Sequence, residues 1–147
     1  MDPDVQRSII ESALTEHQEV VVGLFSAEGE AIGRLADRIA GCLAADGTVF
    51  WCGNGGSAAD AQHLAGELVG RFESDRRPLR SVALTADSAV LTCIGNDYGY
   101  EEVFARQVVA IGRPGDVLVA ISTSGESRNV LRGLEAARRS RVSTLGL

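Results

Sequence analysis

The sequence predicts a single α/β domain, a parallel sheet layered between helices, and three observations carry that prediction. Short apolar runs alternate with helical patterns from Thr48 onward, which is the signature of consecutive βαβ units. Two of those runs pass directly into turns suited to an anion. One is Cys52-Gly53-Asn54-Gly55-Gly56-Ser57 and the other is Ser122-Thr123-Ser124-Gly125-Glu126-Ser127. A chain of 147 residues, 45% hydrophobic and 23% charged, is long and apolar enough to bury one core.

Each element can be justified in turn. Residues 4–25 carry a helical stripe of Val5, Ile9, Ile10, Ala13, Leu14, Val20, Val21 and Leu24, and Pro3 after Asp2 is a good helix start. A second helix is expected over residues 27–45, with Ile32, Leu35, Ala36, Ile39 and Leu43 facing inward and Asp46-Gly47 as its stop. Two helices are more than the first strand needs. They either cover one sheet face or, as we favour, pair with another subunit. The core then reads as strand 48–52, helix 57–72, strand 81–85, a short helix near 88–94, helix 100–111, strand 116–121, helix 127–139 and strand 142–147. The linker from Glu73 to Arg80 is polar, holds Arg76, Arg77 and Pro78, and reads as a surface loop. Residues 1–46 thus form a helical pair and residues 47–147 an α/β core, within one domain. The closing segment from Val142 to Leu147 reads as a buried strand with no helix after it, so apolar surface there predicts association.

Composition narrows the function. A net charge of -6 argues against a general nucleic-acid binder, which would be basic. No apolar run approaches the length of a membrane span, and the opening Met1-Asp2-Pro3-Asp4 lacks the layout of a signal peptide. Cys42, Cys52 and Cys93 are odd in number and widely spaced. They match neither a zinc pattern nor a disulfide framework, and they fit reduced thiols in a cytoplasmic protein. All 14 basic residues are arginine. A Schiff-base lysine and a P-loop lysine are therefore both excluded within this chain.

The two loops carry the chemistry. A glycine-rich turn between a strand and a helix N-terminus lets backbone N–H groups approach an anion, which the helix dipole also favours. Gly53, Gly55 and Ala58 also fit G-x-G-x-x-A, but the acid that a dinucleotide fingerprint requires at the end of the second strand falls instead in the linker, at Glu73 and Asp75. Ser57 is expected to cap the helix, with Asp60 completing a capping-box pattern. In the second loop Ser122, Thr123, Ser124 and Ser127 offer four hydroxyls around one helix start. Capping needs one of them, and the surplus suits the oxygens of a phosphate. Together the loops point to a phosphorylated small molecule at the carboxyl edge of the sheet. His63 and Glu67 are four apart and share a helix face with Asp60, a spacing that serves a solvated surface or two ligands of a metal. Asn96 and Asp97, in Ile94-Gly95-Asn96-Asp97-Tyr98-Gly99, are ordinary turn residues that can also bond sugar hydroxyls.

Taken together, CGNGGSAADAQH, ELVGRF, ALTADSAVLTCIGNDYGYEEVFARQV, GRPGDVLVAISTSGESRNVL and LEAAR resemble the phosphoheptose isomerases. These are sugar-isomerase (SIS) domain proteins that interconvert sedoheptulose 7-phosphate and glycero-manno-heptose 7-phosphate. The resemblance runs over essentially the whole chain. It implies a flavodoxin-like, three-layer fold with a five-stranded parallel sheet, a cytosolic homotetramer and active sites shared between subunits. It implies substrate contacts from Asn54, Gly55, Gly56 and Ser57, a sugar-binding pair at Asn96 and Asp97, phosphate binding by Ser122, Thr123, Ser124 and Ser127, and Glu67 as the catalytic glutamate. In zinc-binding members His63 and Glu67 match two of the ligands. The family's other ligands, a glutamine and a histidine that is also the acid partner, lie on a helix beyond the position of Leu147, as does the last strand.

The resemblance therefore implies an aldose–ketose isomerase acting through an enediol, and weak or no activity for these 147 residues alone. The alternative is a non-catalytic SIS protein: a scaffold of the kind that associates with the bacterial replication initiator, or a sugar-phosphate sensor. Such scaffolds lack the glutamate at the position of Glu67, so its presence favours the enzyme.

Overall fold

A computed structural model describes residues 2–147. The chain divides into two compact units, one ending at Asp37 and one spanning Arg38–Leu147. The first unit is wholly part of α1 (Pro3–Ala44) apart from its extreme N-terminus. The expected pair of N-terminal helices is therefore one continuous helix. Nothing at the predicted break stops it. No proline occurs there, and the Ser26 hydroxyl donates back to the Val22 carbonyl at 2.9 Å instead of capping a new helix. Gly29 costs only about 1 kcal/mol against alanine in a helix interior. The predicted stop at Asp46-Gly47 is real. Asp46 takes a positive φ, and the Gly47 N–H bonds the Cys42 carbonyl at 2.9 Å.

The second unit alternates strictly. β1 (Val49–Gly53) leads to α2 (Gly56–Val69), β2 (Ser81–Ala83), α3 (Ser88–Tyr98), a 3₁₀ turn (Tyr100–Glu102), α4 (Ala105–Ile111), β3 (Val117–Ile121), α5 (Arg128–Arg139) and β4 (Ser143–Gly146). The strands form one parallel sheet in the order β2-β1-β3-β4. Among the described residues there are four strands, where the resemblance implies five.

Period-2 alternation sorts the strand side chains into two cores. Phe50, Cys52, Leu118 and Ala120 face one side, with Ile94, Val103, Phe104, Val108, Val130 and Ala137. Val49, Trp51, Val117 and Val119 face the other, with Cys42, Leu43, Ala61 and Ala65. α3, α4 and α5 thus cover one face and α2 the opposite one, which makes the expected three layers. Right-handed crossovers require this division, because the chain moves one way from β1 to β2 and the other way from β2 to β3 and β4. The sheet reverses direction between β1 and β3, and in open α/β sheets such a reversal opens a crevice at the carboxyl ends of the strands.

Two further expectations are corrected. The segment around Asn96 and Asp97 is the end of α3, not a turn between helices. Asp87 caps that helix by accepting from the Val90 N–H at 3.0 Å, and Gly99, at φ 89°, ends it. The predicted helix 100–111 is split into the 3₁₀ turn and α4, because Val103 and Phe104 bury themselves in the core between the two. The linker between α2 and β2 is irregular, as expected. Its Arg76 donates to the carbonyls of Glu67 at 2.7 Å and Leu68 at 2.9 Å, satisfying orphan acceptors in the last turn of α2. No helix among the described residues is long and apolar enough to cross a membrane.

Candidate active site

β1 and β3 are neighbours in register, with Gly53 opposite Ile121. The two loops predicted to bind an anion therefore emerge side by side at the carboxyl edge, at the point where the sheet reverses.

In the first loop Gly53 has no room for a side chain. A Cβ there would lie 2.7 Å from the Ser57 Cβ and 2.9 Å from the Ile121 carbonyl oxygen. Gly55, at φ 56°, turns the chain into α2 and is itself the N-cap. The expectation that Ser57 caps this helix is thus corrected. The turn closes two residues earlier on backbone alone, and the Ala58 and Ala59 N–H groups bond the Gly55 carbonyl. Ser57 is left in the first turn of α2, where N–H groups lack intrahelical acceptors.

In the second loop Gly125, at φ 68°, folds the serines inward. The Ser122 hydroxyl lies 3.5 Å from the hydroxyls of both Ser124 and Ser127. It also accepts from the Gly125 N–H at 3.2 Å, and the Ser124 hydroxyl accepts from the Glu126 N–H at 3.2 Å. Ser127 occupies the N-cap of α5 but makes no side-chain capping bond. Its hydroxyl faces its neighbours, not the helix. Thr123 is exposed between them.

A side-chain bridge ties the loops together. The amides of Asn54 and Asn129 bond reciprocally. Asn54 Nδ2 donates to Asn129 Oδ1 at 2.9 Å, and Asn129 Nδ2 donates to Asn54 Oδ1 at 2.8 Å. The Tyr100 hydroxyl lies 3.3 Å from Asn54 Oδ1, which brings the end of α3 to the same edge. Beside it, Asn96 donates to Asp97 at 2.8 Å, and both side chains are exposed. Glu101 and Glu102, in the 3₁₀ turn, pair with Arg128 and Arg132 of α5 at 3.0 and 2.7 Å.

Comparison with known proteins agrees with this fold. Residues 14–147 match the SIS domain family. The phosphoheptose isomerase of Rhodospirillum rubrum is 58% identical over 117 residues, covering 80% of this chain and 62% of the relative. That of Nitratidesulfovibrio vulgaris (strain Miyazaki F) is 50% identical over 144 residues, covering 98% of this chain and 69% of the relative. The chain belongs to the SIS-domain phosphoheptose isomerases. The solved phosphoheptose isomerase of Neisseria gonorrhoeae superposes with a TM-score of 0.89 at 42% identity, covering 97% of this chain and 75% of that one. The enzyme from Francisella tularensis gives 0.92 at 37% identity, covering 97% and 74%. The chain thus spans about two thirds to three quarters of the length of these relatives.

Within that family frame, His63 and Glu67 lie about two and three turns into α2. They share a face of α2, with Nε2 and Oε1 3.7 Å apart and side chains 73% and 30% exposed. Glu67 lies far along α2 from its N-terminus, about 16 Å at 1.5 Å per residue. One chain therefore brings the Asn54–Ser57 loop and the Ser122–Ser127 loop together at one edge, with Glu67 about three turns into α2. His63 and Glu67 fit two positions of a zinc site. Among the described residues, no group of three or more His, Cys, Asp or Glu side chains converges, so two further ligands would have to come from elsewhere.

A cleft of about 750 Å³ opens at the opposite, amino-terminal edge of the sheet, lined by Thr48, Arg80, Arg113 and Asp116 among others. It contains none of the loop residues. Asp116, 6% exposed, accepts from the N–H groups of Thr48 and Arg113 at 2.8 Å each. That carboxylate joins the starts of β1 and β3, which is a structural role.

Sequence reasoning missed Asn129 and Tyr100. Asn129 had one legible signal: an asparagine just inside a helix start is a poor helix former, and it needs a reason to be there. Tyr100 had none, because its partner lies far away in the chain.

Proposed function

We propose that this chain carries the aldose–ketose isomerase chemistry that converts sedoheptulose 7-phosphate to D-glycero-D-manno-heptose 7-phosphate. The observation that carries the reading is the second loop. Its three serine hydroxyls converge within 3.5 Å steps, and the one at the helix N-cap is not used for capping. Hydroxyls held together at a helix N-terminus suit a phosphate, and at this position they sit beside a glycine turn that admits the rest of the ligand. The relatives' activity supports the same reading.

In this mechanism Ser122, Thr123, Ser124 and Ser127 hold the phosphate, and Asn54, Gly55, Gly56 and Ser57 border the sugar. Asn96 and Asp97 bond its hydroxyls. Glu67 takes a proton from C1 of the ketose, leaving an enediol, and returns it to C2 to give the aldose. A second group moves the proton between the two oxygens, the role that the family resemblance assigns to a histidine beyond Leu147. His63 and Glu67 would hold zinc where it is bound, and zinc would supply charge stabilisation at the sugar oxygens. No step depends on it here.

The separation of Glu67 from the loops supports a site completed by a second copy, within a homotetramer. α1 supports this independently, because Val5, Ile9, Ile10, Leu14, Val20, Val21, Leu24 and Phe25 are all exposed. A helix with that much bare apolar surface is suited to helix–helix association. We place the protein in the cytoplasm because its three cysteines are all free.

The direct test is turnover of sedoheptulose 7-phosphate beside the Glu67→Gln variant. Turnover that disappears in the variant supports the isomerase. A folded protein that neither binds nor converts this sugar phosphate would refute it.

A further inference from the structure

The hydrogen bonds around Asn54 leave its amide a single free valence, and Asn129 decides which one. The backbone N–H of Val130 donates to Asn129 Oδ1 at 3.0 Å. A backbone N–H can only donate, so it fixes which end of the Asn129 amide is oxygen, an assignment that heavy-atom positions alone do not settle. Asn129 Nδ2 must then be the donor to Asn54 Oδ1 at 2.8 Å, and Asn54 Nδ2 the donor back at 2.9 Å. The Tyr100 hydroxyl donates to the same Asn54 oxygen at 3.3 Å. Both acceptor sites of Asn54 are therefore taken, as is one of its two N–H donors. One N–H remains, at the rim of the glycine-rich loop. Asn129 itself is 4% exposed and touches no solvent-facing ligand. Its oxygen accepts from Asn54 and Val130 and its nitrogen donates to Asn54, and among the described residues no buried side-chain polar atom is left without a partner.

We infer that Asn129 is a positioning residue that locks Asn54 as a pure hydrogen-bond donor toward an oxygen of the bound sugar. This rests on the isomerase reading for the identity of the ligand, but not for the lock itself. Without Asn129 only the 3.3 Å bond from Tyr100 opposes a half-turn of the Asn54 amide, and that half-turn would present its carbonyl oxygen, which would repel a sugar carbonyl or enediolate oxygen. The pair also couples the two loops, since one partner sits after β1 and the other in the first turn of α5. Tyr100 reinforces the lock from the 3₁₀ turn.

The test uses the whole chain and two variants. Asn129→Leu removes every bond. Asn129→Asp keeps the shape and both accepted bonds, but replaces the donation to Asn54 with a carboxylate oxygen facing Asn54 Oδ1. ¹⁵N NMR follows the two side-chain N–H protons of Asn54, and titrations compare sedoheptulose 7-phosphate with inorganic phosphate. In the unaltered protein one Asn54 proton should resist exchange with water, while the other exchanges and shifts when the sugar phosphate binds. In Asn129→Asp, which still accepts from Asn54, the difference in exchange should persist, and in Asn129→Leu it should collapse. Affinity for the sugar phosphate should fall roughly tenfold, the loss expected for one hydrogen bond. Affinity for inorganic phosphate, which needs only the serine loop, should hold in Asn129→Leu, which adds no charge beside that loop. Unchanged sugar-phosphate affinity in both folded variants overturns the inference. So does an equal loss for both ligands, which would mark Asn129 as merely structural. If the unaltered protein does not bind sedoheptulose 7-phosphate, the isomerase reading fails, and Asn54 proton exchange alone decides the lock. An equal exchange rate for the two protons in the unaltered protein would overturn it.

Discussion

At the scale of single residues, the serine loop separates binding from folding. A helix N-cap serine is ordinarily worth about 1 kcal/mol to stability. Ser127 occupies that position without making the bond, so Ser127→Ala should leave stability within about 0.5 kcal/mol. It should nevertheless weaken phosphate binding roughly tenfold through the lost hydroxyl. Urea denaturation and phosphate titration on the same sample check both halves. Cys52 makes a second residue-scale prediction. Burial pushes its thiol up from 9.0 to about 12. The folded state then holds a proton that the unfolded state releases, so the contribution is fully present below pH 9. It is lost as the pH rises toward 12, at up to about 1.4 kcal/mol per pH unit. The chain has no lysine to titrate alongside it. Denaturation midpoints should fall across that window, and Cys52→Ala should flatten the fall.

At the scale of elements, most boundaries were legible because the local signals agree with the fold. The alternation of Val49, Phe50, Trp51 and Cys52 matches two buried faces, and the loops after β1 and β3 fall where glycine and serine predict them. The misreadings share one cause. Ser57 and the Asn96–Asp97 pair look like a cap and a turn, Ser26 precedes the expected second helix, and in each case a competing contact a few residues away decides the outcome. Ser26 bonds back into its own helix. Gly55 caps α2 before Ser57 can. Asp87 starts α3 and lets it run on to Gly99. Arg76 is the element-scale test, since its guanidinium closes the end of α2 at the turn that carries Glu67. Arg76→Ala should cost about 1.5–3 kcal/mol, the range for hydrogen bonds to a charged group. It should also raise amide exchange at the C-terminal turn of α2, measured by hydrogen–deuterium exchange. Unchanged exchange there would mean that the linker closes the helix without it.

At the scale of the whole molecule, the separation of Glu67 from the loops has a functional consequence. If a second copy completes the site, two inactive variants can rescue each other. Glu67→Gln and Ser124→Ala should each be inactive or nearly so. Unfolded together and refolded as a mixture, they should regain activity, because some sites combine an intact glutamate from one copy with an intact serine loop from another. No recovery in mixed assemblies, whose formation is verified by native mass spectrometry, would place the whole site within one chain. The bare apolar surface of α1 makes the companion observation direct: sedimentation should show self-association that weakens on dilution.

The sequence by itself determined the fold class, the order of strands and helices and the two ligand loops. These follow from hydrophobic period and from glycine and hydroxyl chemistry, which act over a few residues. It also supplied Asn54, His63, Glu67, Asn96, Asp97 and the serines as candidates. Only the tertiary structure decided which of them meet. Pairing β1 with β3 brings two loops distant in sequence to one edge, and the Asn54–Asn129 bridge exists because of that pairing. The same packing leaves Glu67 far along α2 from that edge, because a helix carries its side chains along its axis at a fixed rise per residue.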